Sequence, residues 1–509
     1  MCSSDLKMLK NNKSPGCDGI PAELNKYGGN TLAREIHKLI TLVWQEERIP
    51  NLWELAEIVA IHKKGSKLEC ANYRGISLLC TLYKVFTRIL LTRLQPLAED
   101  RLGEQQAGFR AGRSTTDQIF TLRMILEKYW EYNKNLHQVY IDYRQAYDSI
   151  HRPSMWCILR EYNIPKKLIS LIKACYNNSK CCVKVGKNKT NFFEVLSGLR
   201  QGDMLSPILF NLVIEKAIQT ASQIAQGANI GNNTINMLAY ADDVVALAET
   251  EEGLEELTTP FLEMSKRFGL ECNAQKTKVM LLSRRNRADG NMNIGQMEVE
   301  ATQTFKYLGS MVTNDNRMDK EISERIGIGN RCACALGKVL RSRNISRRTK
   351  IRVYNIIIRP TVLYGCETWT LTKERKRRLE VFENSILRRI LGPVLNPDTD
   401  QWERRHNIDL RQMTGQPYIQ DAVVSRRLRW AGHCARMQDD RTPKIVMNGA
   451  MRGRRPVGRP RYRWSDNIKQ DVQDLAPDIY DWQAAAEDRR TWRGLVKAAL
   501  GLQAREPHE

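Results

Sequence analysis

The tetrapeptide Tyr240-Ala241-Asp242-Asp243 lies between two apolar runs, Ile235-Asn236-Met237-Leu238-Ala239 and Val244-Val245-Ala246-Leu247. Strand-length apolar runs broken by two adjacent acids leave few folds open, and the pattern predicts a β-hairpin whose tip presents carboxylates. Side chains alternate faces along a strand, so two successive acids at a turn need not both face solvent, and one can be aimed into a cleft. Acid pairs are also common at solvated hairpin tips, so the hairpin alone decides little.

A second acid narrows the choice. The β-prone run His137-Gln138-Val139-Tyr140-Ile141 ends in Asp142, and Arg144-Gln145-Ala146-Tyr147-Asp148-Ser149-Ile150 reads as a turn entering a helix. Magnesium is held by one or two carboxylates, with phosphates and water completing its octahedron. Asp142 and Asp242, with Asp243 beside them, would supply those ligands from two strands. Two Mg2+ ions about 3.5–4 Å apart, with Mn2+ as a substitute, activate an attacking hydroxyl and stabilise departing pyrophosphate. Asp142, Asp242 and Asp243 are therefore the candidate metal ligands and catalytic groups of a nucleotidyl transfer.

The acids keep ordered company. Lys13-Ser14-Pro15-Gly16-Cys17-Asp18-Gly19-Ile20-Pro21 comes first, then Ile58-Val59-Ala60-Ile61-His62-Lys63-Lys64-Gly65 and Asn72-Tyr73-Arg74-Gly75-Ile76-Ser77-Leu78-Leu79. Gln106-Ala107-Gly108-Phe109-Arg110-Ala111-Gly112-Arg113-Ser114-Thr115 precedes the Asp142 run. Gly198-Leu199-Arg200-Gln201-Gly202-Asp203-Met204-Leu205-Ser206-Pro207 and Leu209-Phe210-Asn211 stand between the acidic segments. After them come Gly269-Leu270-Glu271-Cys272-Asn273 with Lys276-Thr277-Lys278, then Phe305-Lys306-Tyr307-Leu308-Gly309. In this order the segments resemble the motifs of the reverse transcriptases of non-LTR (LINE-type) retrotransposons, almost from end to end of the chain.

That resemblance implies an α+β right-hand polymerase: fingers, a palm with an antiparallel sheet, a helical thumb and a mainly helical basic C-terminal region. It implies copying of element RNA into cDNA, with RNA template, DNA primer or target DNA and deoxynucleoside triphosphates as partners. Lys63 and Arg74 resemble the triphosphate contacts, although a Lys-Lys-Gly turn is also an ordinary solvated charge run. Gln201 would face the incoming nucleotide and Gly202 would let the chain approach it, or both belong to a plain loop. Tyr147 sits where the family carries a ring that excludes a ribose 2′-hydroxyl by clash; otherwise it is a core tyrosine. Lys276 is the candidate general acid or a surface lysine. Gly202, Tyr307, Leu308 and Gly309 are the implied primer and template contacts. Two departures stand out: Gly75 where relatives carry Pro, expected to loosen a fingers turn, and Asp203, an extra acid expected near the cleft or in solvent.

Charge agrees with a polyanion partner. The 509 residues carry a formal net charge of +23, and binding that neutralises phosphates releases counterions. A basic ribosomal or membrane-surface protein would carry similar charge. The 13 cysteines lack paired spacing, no secretory or bilayer-spanning run is present, and Cys181-Cys182 and Cys332-Ala333-Cys334 read as buried thiols. No membrane partner is expected.

Pattern shifts divide the chain into fingers and N-terminal segments (1–105), palm with interleaved fingers elements (106–312), helical thumb (313–392) and a basic, partly flexible C-terminal region (393–509). In the fingers, Leu32, Ile36, Leu39, Ile40, Val43 and Trp44 recur at helical spacing. In the thumb, Leu379, Phe382, Ile386 and Ile390 form one apolar stripe. The arginine-rich stretch from Arg452 to Trp464 is too broken by Gly and Pro for a helix. It reads as a flexible phosphate contact with Tyr462 and Trp464 stacking on bases, or as a solvated linker or nuclear-import signal. The resemblance further implies a nuclear destination, with assembly on element RNA in the cytoplasm, and an endonuclease domain encoded upstream or lost. A decayed or host-retained RNA-binding remnant and a group II intron-type maturase are the alternative readings.

Overall fold

The computed structural model describes residues 2–223, 227–284, 290–457 and 462–501. Two sheets organise the front of the molecule. In the first, β1 (Leu55–His62) pairs antiparallel with β2 (Tyr73–Leu78) and parallel with β4 (Lys180–Val185). In the helix Gly29–Glu46, Ile36, Ile40 and Val43 of the expected stripe are buried and Leu39 and Trp44 partly so, while Leu32 is exposed.

The second sheet has six strands, in the order β8, β9, β7, β3, β6, β5. Its centre is β3 (Leu136–Ile141), flanked by β6 (Asp243–Ala248) and β7 (Lys278–Leu282). β5 (Met237–Tyr240) forms one edge, β8 (Met292–Ile294) and β9 (Met297–Ala301) the other. All its pairings are antiparallel except that of β7 with β9. A further hairpin, β10 (Thr304–Tyr307) and β11 (Ser310–Thr313), leads to the thumb.

The palm sheet is buried on both faces, which explains why its strands read as nearly unbroken apolar runs. Val139, Ile141, Val244 and Ala246 point to one core, with Leu209 and Phe210 from the helix Ser206–Ser222 and Leu254 and Phe261 from Glu251–Arg267. Tyr140, Val245 and Leu247 point to the other, with Phe120 and Leu126 from the helix Thr115–Glu131.

That second core is completed by the chain's C-terminal part. Trp430 from the helix Ile419–Ala435, Trp464 from Trp464–Leu475 and Trp492 from Arg489–Ala498 are all buried in it. This corrects one expectation: Trp464 is 1% exposed, packs edge-on to Phe120 at 4.7 Å between ring centroids, and donates its indole N–H to the Glu367 carbonyl at 2.9 Å. It cannot stack on an unpaired base. Tyr462 is exposed; Gly458, Arg459, Pro460 and Arg461 of the same stretch lie outside the described residues.

The thumb has its own core. Leu379, Phe382, Ile386 and Ile390 are buried along the helix Lys373–Leu391, the stripe expected from their spacing, against Ile322 and Tyr354. Of the thiols expected inside, Cys181 and Cys182 are buried, but Cys334 is exposed on the thumb helix Asp319–Ala335.

Candidate active site

The acidic hairpin folds as its pattern predicts. β5 and β6 pair Tyr240 with Asp243 across a two-residue turn, with Ala241 at φ +56°. β6 then runs antiparallel to β3 with Val244 opposite Ile141, so the register continues to Asp243 opposite Asp142 just beyond the strand end. Acids separated by a hundred residues thus meet at one end of the sheet.

Their environment resists their own charges. Burial raises the Asp243 carboxyl to about 6, with Asp242 and then Asp142 adding to the rise. Burial also lifts Asp242; its own backbone N–H opposes this, Asp142 adds to it, and the Arg74 guanidinium opposes it. Asp142 is held differently. Its backbone N–H donates to Thr277 Oγ1 at 3.2 Å, Lys276 Nζ stands 3.4 Å from Oδ2, and that buried oxygen accepts no hydrogen bond.

An acid cluster with a buried lone pair left over suits a hard cation. Among the described residues, no three His, Cys, Asp or Glu side chains draw close enough to enclose a metal ion by themselves. The carboxylates therefore fit an ion that shares its shell with substrate oxygens, which needs only one or two protein ligands.

The walls of the cleft come from the fingers. Arg74 lies on β2 opposite Ile61, exposed, and its charge reaches Asp242. Lys63 follows β1, exposed, and its charge reaches Asp148. Gln201 is tied to the fingers through its carbonyl, which accepts the Ser77 N–H at 2.8 Å, while its Nε2 donates to Asp148 Oδ1 and Oδ2 at 3.1 and 2.9 Å. Gly202 has φ +108°, and a Cβ there would come 3.0 Å from the Ser77 carbonyl, so its lack of a side chain lets this loop press on β2.

Tyr147 forms the floor. Its ring stacks on Phe210 with centroids 4.6 Å apart, and its half-buried phenol is pushed up by burial and then by the Asp242 charge. Core packing and proximity to the acids are both true of this residue. Tyr307, by contrast, is 2% exposed and lies 6.0 Å from the Tyr140 ring in the second core. Its ring offers no face to a primer, which corrects that expectation. The turn after it is fastened through the Leu308 carbonyl, which accepts from Tyr364 at 2.9 Å, and the Gly309 carbonyl, which accepts from Arg325.

Both departures noted in the sequence are structural. Asp203 is 5% exposed and accepts from Tyr83 and Tyr176 at 3.3 Å each and from the Met204 N–H at 2.7 Å. It neither lines the cleft nor meets solvent. Gly75 is in the middle of β2 opposite Ala60, not in a turn.

Residues 61–312 match the family described as reverse transcriptase (RNA-dependent DNA polymerase). The chain carries a reverse transcriptase domain. Over 402 residues it is 27% identical to a probable RNA-directed DNA polymerase from transposon X-element of Drosophila melanogaster, a match covering 75% of this chain and 42% of that protein. It is 22% identical over 354 residues to the RNA-directed DNA polymerase from mobile element jockey of the same fly, covering 67% of this chain and 38% of that one. The chain thus spans less than half the length of these relatives. Among solved structures, apo telomerase from Candida tropicalis, truncated from its C-terminal domain, aligns with a TM-score of 0.38 and 12% identity over 55% of this chain and 59% of that one.

Within the reverse transcriptase domain, Gln106 and Asp148 are functional neighbours that motif reading left without a role. Gln106, 0% exposed, accepts the Ala241 N–H at 2.9 Å and the Gly108 N–H at 2.8 Å through one oxygen. It therefore holds the acidic turn from behind, with Gly108 so close that a Cβ would sit 2.3 Å from the Ala241 nitrogen. A glutamine just ahead of the small pair Ala107-Gly108 was the available signal, because an amide that is buried must find partners.

Proposed function

We propose that this protein is an RNA-directed DNA polymerase of a non-LTR retrotransposon, copying element RNA from a DNA primer with deoxynucleoside triphosphates. The observation that carries the reading is the β3–β6 register, which sets Asp142 beside the Asp242-Asp243 turn under a fingers hairpin bearing Arg74. Asp142 and Asp242 would hold the divalent ions, Mg2+ by the hardness of the oxygen donors, with Asp243 adding negative field. Bound there, such ions make the primer hydroxyl a better nucleophile and offset charge on departing pyrophosphate.

The remaining work falls to side chains. Arg74 and Lys63 would neutralise the triphosphate as charge builds on it. Tyr147 would stand beneath the sugar and clash with a 2′-hydroxyl, selecting deoxynucleotides. Lys276, 3.4 Å from Asp142, would give a proton to the leaving group. The basic surface would follow template and primer phosphates, and target DNA would make the nucleus the place of work.

Extension of a DNA primer on a poly(rA) template by the purified chain, with Mg2+ and dTTP, tests the reading. Asp242→Asn should lower the rate on the order of 10³-fold or more, the scale expected when a central electrostatic group is removed. A folded wild-type sample that incorporates nothing, or an Asp242→Asn sample that incorporates equally, would overturn it.

A further inference from the structure

The C-terminal region supplies no named residue to the polymerase reading above, yet one of its side chains reaches the loop that backs the acidic turn. That loop, residues 105–114, lies between the helices Thr81–Glu99 and Thr115–Glu131. Its first half is pinned to the palm. The Ala107 N–H donates to the Ala239 carbonyl at 2.9 Å, Asn211 Nδ2 to the Gly108 carbonyl at 2.6 Å, and Arg110 Nη1 to the Gln106 carbonyl at 2.9 Å. Between these anchors Phe109 takes φ +54° and is 61% exposed, its ring 6.5 Å from that of Tyr240. Tyr240 is the strand partner of Asp243, so an exposed aromatic ring stands beside the acids.

The second half of the loop is held by charge. Arg113 forms a bidentate pair with Glu104, and Ser114 caps the next helix in a reciprocal box with Asp117. A guanidinium 324 positions beyond Asp117 closes this half. Arg441 precedes the helix Thr442–Asn448, whose Val446 is buried in the second core, and its own side chain is 14% exposed. Its Nη2 donates to Asp117 Oδ2 at 2.8 Å and to the Gly112 carbonyl at 3.3 Å, and its Nε stands 3.4 Å from Glu104 Oε2. Burial opposes the Glu104 charge, yet Arg113 and then Arg441 hold that carboxyl below its ordinary value. Acceptors from both ends of the loop thus converge on one planar cation, whose rigid fork fixes their spacing. Its donors are turned inward, away from any phosphate.

We propose that Arg441 is a positioning residue for primer–template binding: by holding Glu104, Gly112 and Asp117 at one spacing it sets the loop that presents the Phe109 ring beside the acids. The C-terminal region thereby tunes the grip of the polymerase within one chain. The inference rests on the polymerase reading for its ligand.

The test measures affinity for poly(rA) primed with oligo(dT) by fluorescence anisotropy over a range of salt, with no nucleotide present. Wild type is compared with Arg441→Ala, Arg441→Lys, Phe109→Ala and the double variant Arg441→Ala with Phe109→Ala. Arg441→Ala should bind about tenfold more weakly, and the double variant no more weakly than Phe109→Ala alone, because both act through one ring. Arg441→Lys, whose ammonium cannot reach three acceptors at once, should keep part of the affinity. An arginine that touched phosphate would lower the salt slope by about one when removed, whereas Arg441→Ala should leave the slope as in wild type. In steady-state extension the KM for primer–template should rise, with turnover at saturation and the KM for dTTP unchanged. Unchanged affinity in Arg441→Ala, additive losses in the double variant, or a slope lowered by one each overturns the inference. If Arg441→Ala does not melt cooperatively, Arg441→Lys, alone and with Phe109→Ala, gives the same comparison. Binding needs no polymerisation, so the two readings separate. If wild type binds but makes no polymer and Arg441→Ala binds more weakly without additivity, the polymerase reading fails and the role of Arg441 stands. No primer–template binding by wild type removes the role of Arg441.

Discussion

Two polar clusters in this molecule, one behind the palm and one at the acidic hairpin, are built on opposite terms. Behind the palm, Arg427 is 0% exposed and each nitrogen of its guanidinium has a partner: Asp471 accepts from Nε at 2.8 Å and from Nη2 at 2.5 Å, and the Trp369 carbonyl accepts from Nη1 at 3.1 Å. In front, the Asp142 charge adds to the burial that lifts Asp242 and Asp243, whereas behind it the Arg427 charge opposes the burial that lifts Asp471, and an Asp142 oxygen is buried with no hydrogen bond. The rear spends its charges on holding helices together, whereas the front answers Asp142 with an exposed lysine, Lys276 at 3.4 Å. The difference separates a scaffold from a site whose missing partner is a cation and a substrate.

The comparison breaks first at the rear. Asp471→Ala strands a buried guanidinium and should cost about 3–5 kcal/mol, the usual penalty for removing one partner of a buried pair. The C-terminal helices share the core of Phe120 and Val245 with the palm sheet, so the loss should appear as a lower melting temperature of the whole chain. Calorimetry checks this, and primer extension well below the melting point should keep the KM for dTTP. A changed KM at unchanged stability would mean that the rear is not mere scaffold.

Gln106 tests whether front and rear are as separate as they look. Its one oxygen takes two backbone N–H groups, including that of Ala241, whose positive φ is uncommon for a residue with a side chain. Gln106→Ala leaves both donors buried and unpaired, a cost of about 1–3 kcal/mol each at most. Because the released turn carries Asp242, the turnover rate should fall about tenfold or more while primer–template affinity holds, read by single-turnover extension and gel shift. An unchanged rate would show that the strand pairing alone sets the turn.

Which of these features the sequence made legible depends on the range of the interaction. The hairpin at Asp242 and the thumb stripe at Leu379, Phe382, Ile386 and Ile390 are local periodicities, and period determines face. The acids' meeting needed one long-range step, the pairing of β3 with β6, which two apolar runs ending in acid suggest. The seat of Trp464 against Phe120, 344 positions earlier, has no local signature: an arginine-rich, Gly- and Pro-broken approach reads as solvated until a distant core claims its aromatic ring. Tyr307 misled similarly, because a tyrosine before a Leu-Gly turn has the same local pattern whether its ring faces a primer or Tyr140. Asp148 and Gln106 were hidden for a different reason, since their partners are an amide and backbone groups that no residue pattern marks.

The smallest effect sharpens the contrast most directly, because it asks the acids themselves whether they are strained. The folded-state value of Asp243, about 6, is above the ordinary carboxylate value of the unfolded chain, so the native state binds the extra proton more readily. The stability it contributes is therefore full at a pH below the unfolded value and is lost as pH rises through about 6. The metal-free protein should gain stability on acidification from pH 7.5 to 5.5, and Asp243→Asn should melt about 1–2 °C higher than wild type at pH 7.5, with only its own share of that pH dependence removed, because Glu127 and Glu215, lifted by burial to about 7, titrate in the same window. Adding Mg2+ should narrow the gap at pH 7.5, since a cation favours the ionised acids only when they are present as a set. Equal melting curves for both proteins across this range would mean that the front acids are as well accommodated as Asp471 is behind them.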